Sequence, residues 1–251
     1  MLNSILLDFR RTLKSGKIFY IIAGIFLSII MLIISIHFSD FFGINTDTAA
    51  DSYCATYVSY MGFQFGLFFA CLCLLSVGEV LVDYEYGNIK NICSVTKSRG
   101  TFIGSKLIYM YLISLLSVTA VVICMTAAGF ILFKNNMVLG NMEELIIFIL
   151  SYSFIADVPL TILMLAAMLF KRASFCSYIL IALYIIPSMI YGMIKNYLGI
   201  SLDKISVLQF AFSSGGTYDA GTVLKHGILA IIYTFILYRI TVTIANRRDI
   251  L

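Results

Sequence analysis

Tryptophan is absent from this chain, proline and histidine occur twice each, and charged residues make up only 12% of its 251 positions. Soluble domains typically carry about 25% charged residues. With 61% hydrophobic residues and a mean hydropathy of +1.00, a soluble globular class is excluded and an integral membrane protein is predicted. The shortage of histidine also removes most catalytic classes. His37 and His226 stand alone at the ends of apolar runs, and neither GxSxG nor HExxH occurs. Glu143 and Glu144 adjoin one another at a loop-to-helix junction, where acids favour a helix N-terminus, and no basic or histidine partner follows them. No GxxxxGK[ST] phosphate loop is present, so ATP chemistry has no residues here and the chain is not expected to be an enzyme. Six cysteines are scattered, mostly in apolar runs. Cys71 and Cys73, two apart on a helix, point to different sides, so they are read as packing residues and no metal site is expected.

What is present is a series of long apolar runs. At about 20 apolar residues per crossing, the length accommodates six or seven spans and leaves no room for a substantial soluble domain. The predicted fold class is therefore all-α: a polytopic membrane protein with six transmembrane helices at about 18–38, 57–82, 102–133, 145–170, 174–194 and 223–245. Residues 1–17 form a separate amphipathic element and residues 18–251 the six-span domain. The third run is too long for a perpendicular crossing, which calls for tilt or extension beyond the lipid. The second contains Gly62 and Gly66 at GxxxG spacing, which permits close helix approach.

The leader places Leu2, Ile5, Leu6, Phe9 and Leu13 at helical spacing among Asp8, Arg10, Arg11 and Lys14. It is either a basic flank that holds the first span in place or an elbow helix leading into the bundle, with Phe9, Arg10 and Arg11 at its centre. It is too long and amphipathic for a cleaved signal peptide. Residues 195–222 are moderately apolar and rich in glycine. Their leucines, isoleucines and phenylalanines would be costly to expose, which favours short helices dipping into the outer leaflet.

With six spans and a cytoplasmic N-terminus, 13 of the 17 Lys and Arg residues fall on the cytoplasmic side. The positive-inside rule then puts both termini and residues 83–106 in the cytoplasm of a multi-pass membrane protein. In that setting net charge marks topology, and no nucleic-acid partner is implied.

Two features carry functional hypotheses. Asp157 is the one clear acid within a span, two residues before Pro159. It serves a hydrogen-bonded kink, a substrate path or a coupled proton site. The interval 83–106 is the long polar stretch between two spans. Asp83, Glu85, Tyr86, Gly87, Asn88, Ile89, Lys90 and Ile92 suit a short helix, residues 94–100 break it, and Arg99 lies just beyond. Its apolar residues Ile89, Ile92 and Val95 need lipid or a protein groove, so the stretch is an amphipathic loop or a docking helix.

This stretch resembles the segment between the second and third spans of ABC-2 type transporter permeases. That pattern runs acid, acid, glycine, an apolar and basic helix, a Ser-Arg pair and a lysine entering the third span. Here these are Asp83, Glu85, Gly87, Ile89 with Lys90, Ser98 with Arg99, and Lys106. The amphipathic leader, the six runs, the short helices between spans 5 and 6 and the tail Arg248-Asp249-Ile250 fit the same layout. Thr96 and Lys97 stand where many members have proline before the Ser-Arg pair.

The resemblance implies a dimeric bacterial cell-membrane exporter: two copies of this permease, or this chain with a sibling, and two ABC ATPase subunits. ATP and Mg would be bound by the ATPase alone, with no cofactor in this chain. Residues 83–92 and Arg99 would couple the two parts. The compact form is similar to lantibiotic and bacteriocin-immunity permeases, which implies an amphipathic peptide or another membrane-partitioning compound as substrate. The alternative is a membrane scaffold or sensor component that recruits a soluble partner through the same stretch.

Overall fold

A computed structural model of the protein describes residues 2–37, 68, 70–75, 77–78, 99–133, 141–170, 173–199, 206–208 and 220–247. The described residues are helical with short turns, and no strand occurs among them. The helices are α1 (Leu2–Lys14), α2 (Ile18–His37), α3 (Arg99–Phe133), α4 (Met142–Phe170), α5 (Ala173–Leu198) and α6 (Ala220–Arg247). Residues 70–75 add a further helical piece from the second apolar run.

Among the described residues, four helices are long and apolar enough to cross a membrane: Gly100–Ala128, Met142–Phe170, Phe175–Leu198 and Ala220–Asn246. The count rises to five if α1 and α2, bent by 65° at their junction, are one broken span. The turn between them depends on Gly16, whose φ of 70° is costly for a residue with a Cβ. Ser15 N–H closes α1 on Arg11 O at 2.8 Å, and Phe19 N–H opens α2 on Gly16 O at 3.0 Å. Gly199, at φ 65°, ends α5 in the same left-handed conformation, its N–H bonded to Lys195 O.

Helix ends differ from the sequence expectation in one informative direction for spans 3 to 6, where each observed helix is longer. Span 3 begins at Arg99 and not at 102, span 5 continues past 194 to Leu198, and span 6 covers Ala220–Arg247. Polar residues can extend a helix beyond the lipid because its backbone bonds are internal wherever they lie. At 1.5 Å per residue the 35 residues of α3 span about 52 Å, well over the roughly 30 Å hydrocarbon core. Glu143 and Glu144 occupy the first turn of α4, as their electrostatics require.

The hub of the bundle is α4. In its most apolar stretch 61% of residues are buried, against 6% in α5, so α5 forms an outer wall and α4 the centre. The partner of α4 over the greatest length is α6. Gly227 makes that approach possible, because a Cβ there would lie 2.9 Å from Ser151 Cβ and 3.0 Å from its Cα. Across the other face, Ser114 Oγ of α3 donates to Ser153 O of α4 at 3.2 Å. Most other span hydroxyls bond back to the carbonyl four residues earlier, as Thr119, Thr126, Thr161 and Thr241 do. Residues 206–208 return to the bundle, where Val207 is buried and lines a cleft with Val158 of α4 and Leu237 of α6.

Candidate functional site

Among the described residues, two buried carboxyl groups mark two polar places in this apolar bundle. The first is at its foot, where α1 crosses the beginning of α3. Asp8 of α1 and Lys106 of α3 are each almost fully buried, and Lys106 Nζ donates to Asp8 Oδ1 at 2.8 Å. Neither charge would be tolerated alone in such a place, and together they satisfy each other at hydrogen-bond distance. Arg11 approaches the same oxygen at 3.9 Å. Around the pair, the Thr12 and Tyr109 hydroxyls are hydrogen-bonded, Ser4 and Ser105 hydroxyls meet at 3.4 Å, and Phe9 packs edge-on against Tyr109 with centroids 5.5 Å apart. On the α2 side, Lys17 Nζ donates to Gly78 O at 3.1 Å, tying the α1–α2 turn to the end of the second apolar run.

This geometry adds a protein-facing stripe to the leader. The stripe of α1 that faces protein is Ile5, Asp8, Phe9 and Thr12, with a charge at its centre, while Leu6, Leu7, Leu13 and Arg10 are exposed. The exposed leucines are compatible with a helix lying in the membrane interface. Lys106 lies in the second turn of α3. A lysine set among Phe102, Ile103 and Leu107 was the available signal that a partner acid had to exist; which acid it was, 98 positions away, was not readable.

The second place is midway along α4. Asp157 is 4% exposed, and its Oδ1 has no hydrogen-bond partner among the described residues. Thr234 Oγ1 of α6 is buried and lacks a partner among the described residues in the same way. Both line a cavity of about 450 Å³ between α3, α4 and α6. Tyr111 of α3 and Phe154 of α4 form one wall, stacked with centroids 4.5 Å apart at 22°. At the foot end of the cavity Tyr238 Oη donates to Gly100 O at 3.3 Å, bridging α6 to the start of α3. Helix α4 passes through Pro159 unbroken, and the Thr161 hydroxyl bonds Asp157 O, not its carboxyl group. The hydrogen-bonded kink, one of the three sequence alternatives, would engage the side chain of Asp157, and the Ser153 and Thr161 hydroxyls bond backbone carbonyls instead. Ser153 Oγ bonds Ile149 O at 2.6 Å.

Of the sequence-nominated residues, Phe9 and Arg11 lie with Asp8 at the foot, Arg10 is exposed, Arg99 is the first residue of α3, and Asp157 lines the α3–α4–α6 cavity. The coupling candidates Asp83, Glu85, Tyr86, Gly87, Asn88, Ile89, Lys90 and Ile92 lie outside the described residues, as do Gly62, Gly66 and the tail from Arg248. No cluster of His, Cys, Asp and Glu suited to a metal ion occurs among the described residues. Sequence reasoning missed Lys106 as a pairing residue, and it missed Thr234 and Gly227 altogether.

Comparison with known proteins supplies the rest. No curated protein and no solved structure matches the chain. Residues 12–188 match the family described as ABC-2 family transporter protein. That stretch includes Lys106 and Asp157, covers well over half of the chain and ends within α5. Together with the four or five apolar helices, the match implies a multi-pass membrane protein working with an ABC ATPase. The chain belongs to the ABC-2 transporter family, as the membrane permease subunit of an ABC transporter.

Proposed function

We propose that this permease is the transmembrane half of an exporter, with ATP hydrolysed on two copies of a separate ATPase and a second permease copy or sibling completing the pathway. In this reading the chain crosses a bacterial cytoplasmic membrane six times with both termini inside. The short helix formed by residues 83–92 sits in a groove of the ATPase, and the cargo is an amphipathic peptide or another compound that partitions into membranes. No ATP or Mg is held by this chain.

The observation that carries this reading is the clamp at the foot of the bundle. A segment that transmits the closure of an ATPase must be attached rigidly to what it moves. Immediately after the polar stretch, α3 is locked to α1 by the Asp8–Lys106 pair and the Thr12–Tyr109 hydrogen bond. The α1–α2 turn is fixed by Lys17 to the end of the preceding apolar run, at Gly78. A displacement of residues 79–98 is therefore applied to three elements together. The concentration of 13 of the 17 bases on one side in the six-span arrangement supports the same orientation.

The test is co-purification of the tagged permease with its ATPase, with ATPase stimulation as the second readout. Glu85→Ala and Ile89→Asp are expected to abolish both while leaving permease yield unchanged. If both variants still bind and stimulate the ATPase, the coupling assignment is wrong.

A further inference from the structure

The clamp at the foot leaves the second carboxyl group unexplained. A buried acid inside a membrane span is costly and persists where it meets a cation, a hydrogen-bond donor or water. Asp157 Oδ1 has no hydrogen-bond partner among the described residues, although hydroxyl groups are close by in the sequence. Its companion Thr234 is equally unsatisfied, from a different helix, in the same cavity. Two unmet polar groups converging on one otherwise apolar space are the pattern of a ligand site, which is mostly apolar with a few placed polar groups.

The chemistry of the cavity selects the ligand. Its lining holds one carboxyl group and no Lys, Arg or His among the described residues. Of the two bases that adjoin the lining in sequence, Lys106 is buried against Asp8 and Arg239 is exposed. The stacked pair Tyr111 and Phe154 presents aromatic surface beside the acid, which also favours a cation. The volume of about 450 Å³ is that of a small-molecule pocket and leaves no room for a peptide helix, about 10–12 Å across. The edge of the cavity is formed by Ile231 and Phe235, both exposed on the outer surface of α6, so entry is from the lipid.

We propose that the cavity between α3, α4 and α6 is a binding site for a single-chain cationic amphiphile. The amine pairs with the Asp157 carboxyl group, with Thr234 beside it, and the apolar chain runs out past Ile231 and Phe235 toward the bilayer. The proposal rests on the exporter reading for its biological meaning, since it narrows the cargo to amine-headed compounds that arrive through the membrane. The binding site itself makes no use of the ATPase.

The experiment is equilibrium binding of radiolabelled dodecylamine to the full-length permease in nanodiscs of neutral lipid, with empty nanodiscs as background. Dodecanol, dodecyl sulfate below its micellar concentration and a lysine-containing amphipathic peptide serve as competitors. Saturable dodecylamine binding is expected, with dodecanol competing at least about tenfold more weakly, the scale of one charge-assisted hydrogen bond. Dodecyl sulfate and the peptide are not expected to compete. Asp157→Asn should weaken dodecylamine about tenfold and leave dodecanol unchanged, while Ile231→Trp, which narrows the mouth, weakens both.

Equal amine binding by Asp157→Asn, competition by dodecyl sulfate as strong as by dodecylamine, or preferential competition by the peptide overturns the site. If Asp157→Asn does not fold, the head-group series on the natural protein and the loss in Ile231→Trp decide the matter by the same criteria. A permease that recruits the ATPase but shows no head-group preference keeps the exporter reading and loses this site. One that binds dodecylamine selectively yet recruits no ATPase does the reverse.

Discussion

Asp8 and Asp157 are both buried carboxyl groups in an apolar bundle, and they are treated in opposite ways. Asp8 has a buried lysine at 2.8 Å and a second base at 3.9 Å, and a hydroxyl pair stands beside it. Asp157 lines a cavity with Tyr111 and Thr234, and its Oδ1 is left unmatched among the described residues. A charge whose partner is built into the same chain makes a joint, because moving either helix separates the pair. A carboxyl group whose partner is missing from its surroundings does not hold helices together. In the proposed site its partner is the amine of the ligand, and a cavity of about 450 Å³ lies beside it. The foot of α1 and α3 is thus a structural fastening, and the middle of α4 a place for a ligand.

The sharpest way to break the contrast is Lys106→Met. It strands Asp8 in an apolar setting and should cost about 3–5 kcal/mol, the range for removing one partner of a buried pair. Unfolding in a graded detergent or denaturant series reads that loss. The double variant Asp8→Leu with Lys106→Met should regain most of it, since both charges are then gone. If the single and double variants are equally unstable, the joint is not held by the pair.

Next in size is Gly227→Val, which drives a branched side chain into Ser151. Overpacking of this kind costs about 1–3 kcal/mol. The same substitution should also open the α4–α6 seam, read as faster proteolysis. Tyr109→Phe removes one member of the hydroxyl pair and should cost about 1 kcal/mol by the same unfolding assay. The smallest effect is expected at the other carboxyl group. Asp157→Leu removes an unmatched polar group and should leave stability within about 1 kcal/mol of the natural protein or raise it. A loss at Asp157 comparable to that at Lys106 would mean that both acids are structural and would erase the distinction.

Hydropathy made the apolar runs legible, because a span in lipid needs a continuous apolar stretch whatever its neighbours. Four of those runs are helices able to cross a membrane, and they fall where the sequence located spans 3 to 6. Asp157 was legible for the same reason, as an acid in the middle of such a run. Helix ends were less so. Residues 99–101 and 195–198 are too polar to score as membrane, yet they continue the helices of their neighbours. The protein-facing stripe of α1 was not legible, because periodicity ranks residues by polarity. Asp8 faces protein only because Lys106 is there to receive it, and nothing local to residues 1–17 reveals a lysine 98 positions away.

The sequence alone determined that this is a helical membrane protein, where most of its spans lie, and that no ATP-binding loop is carried by this chain. Those properties follow from composition and from the lipid requirement that each span satisfy its own backbone. Only the tertiary structure decided which buried charges are matched. An ion pair such as Asp8–Lys106 depends on where two helices cross, and so does the meeting of Asp157 with Thr234 in one cavity. Helix crossings are set by side-chain packing between distant segments, as where Gly227 admits Ser151, and single-chain periodicity does not encode them.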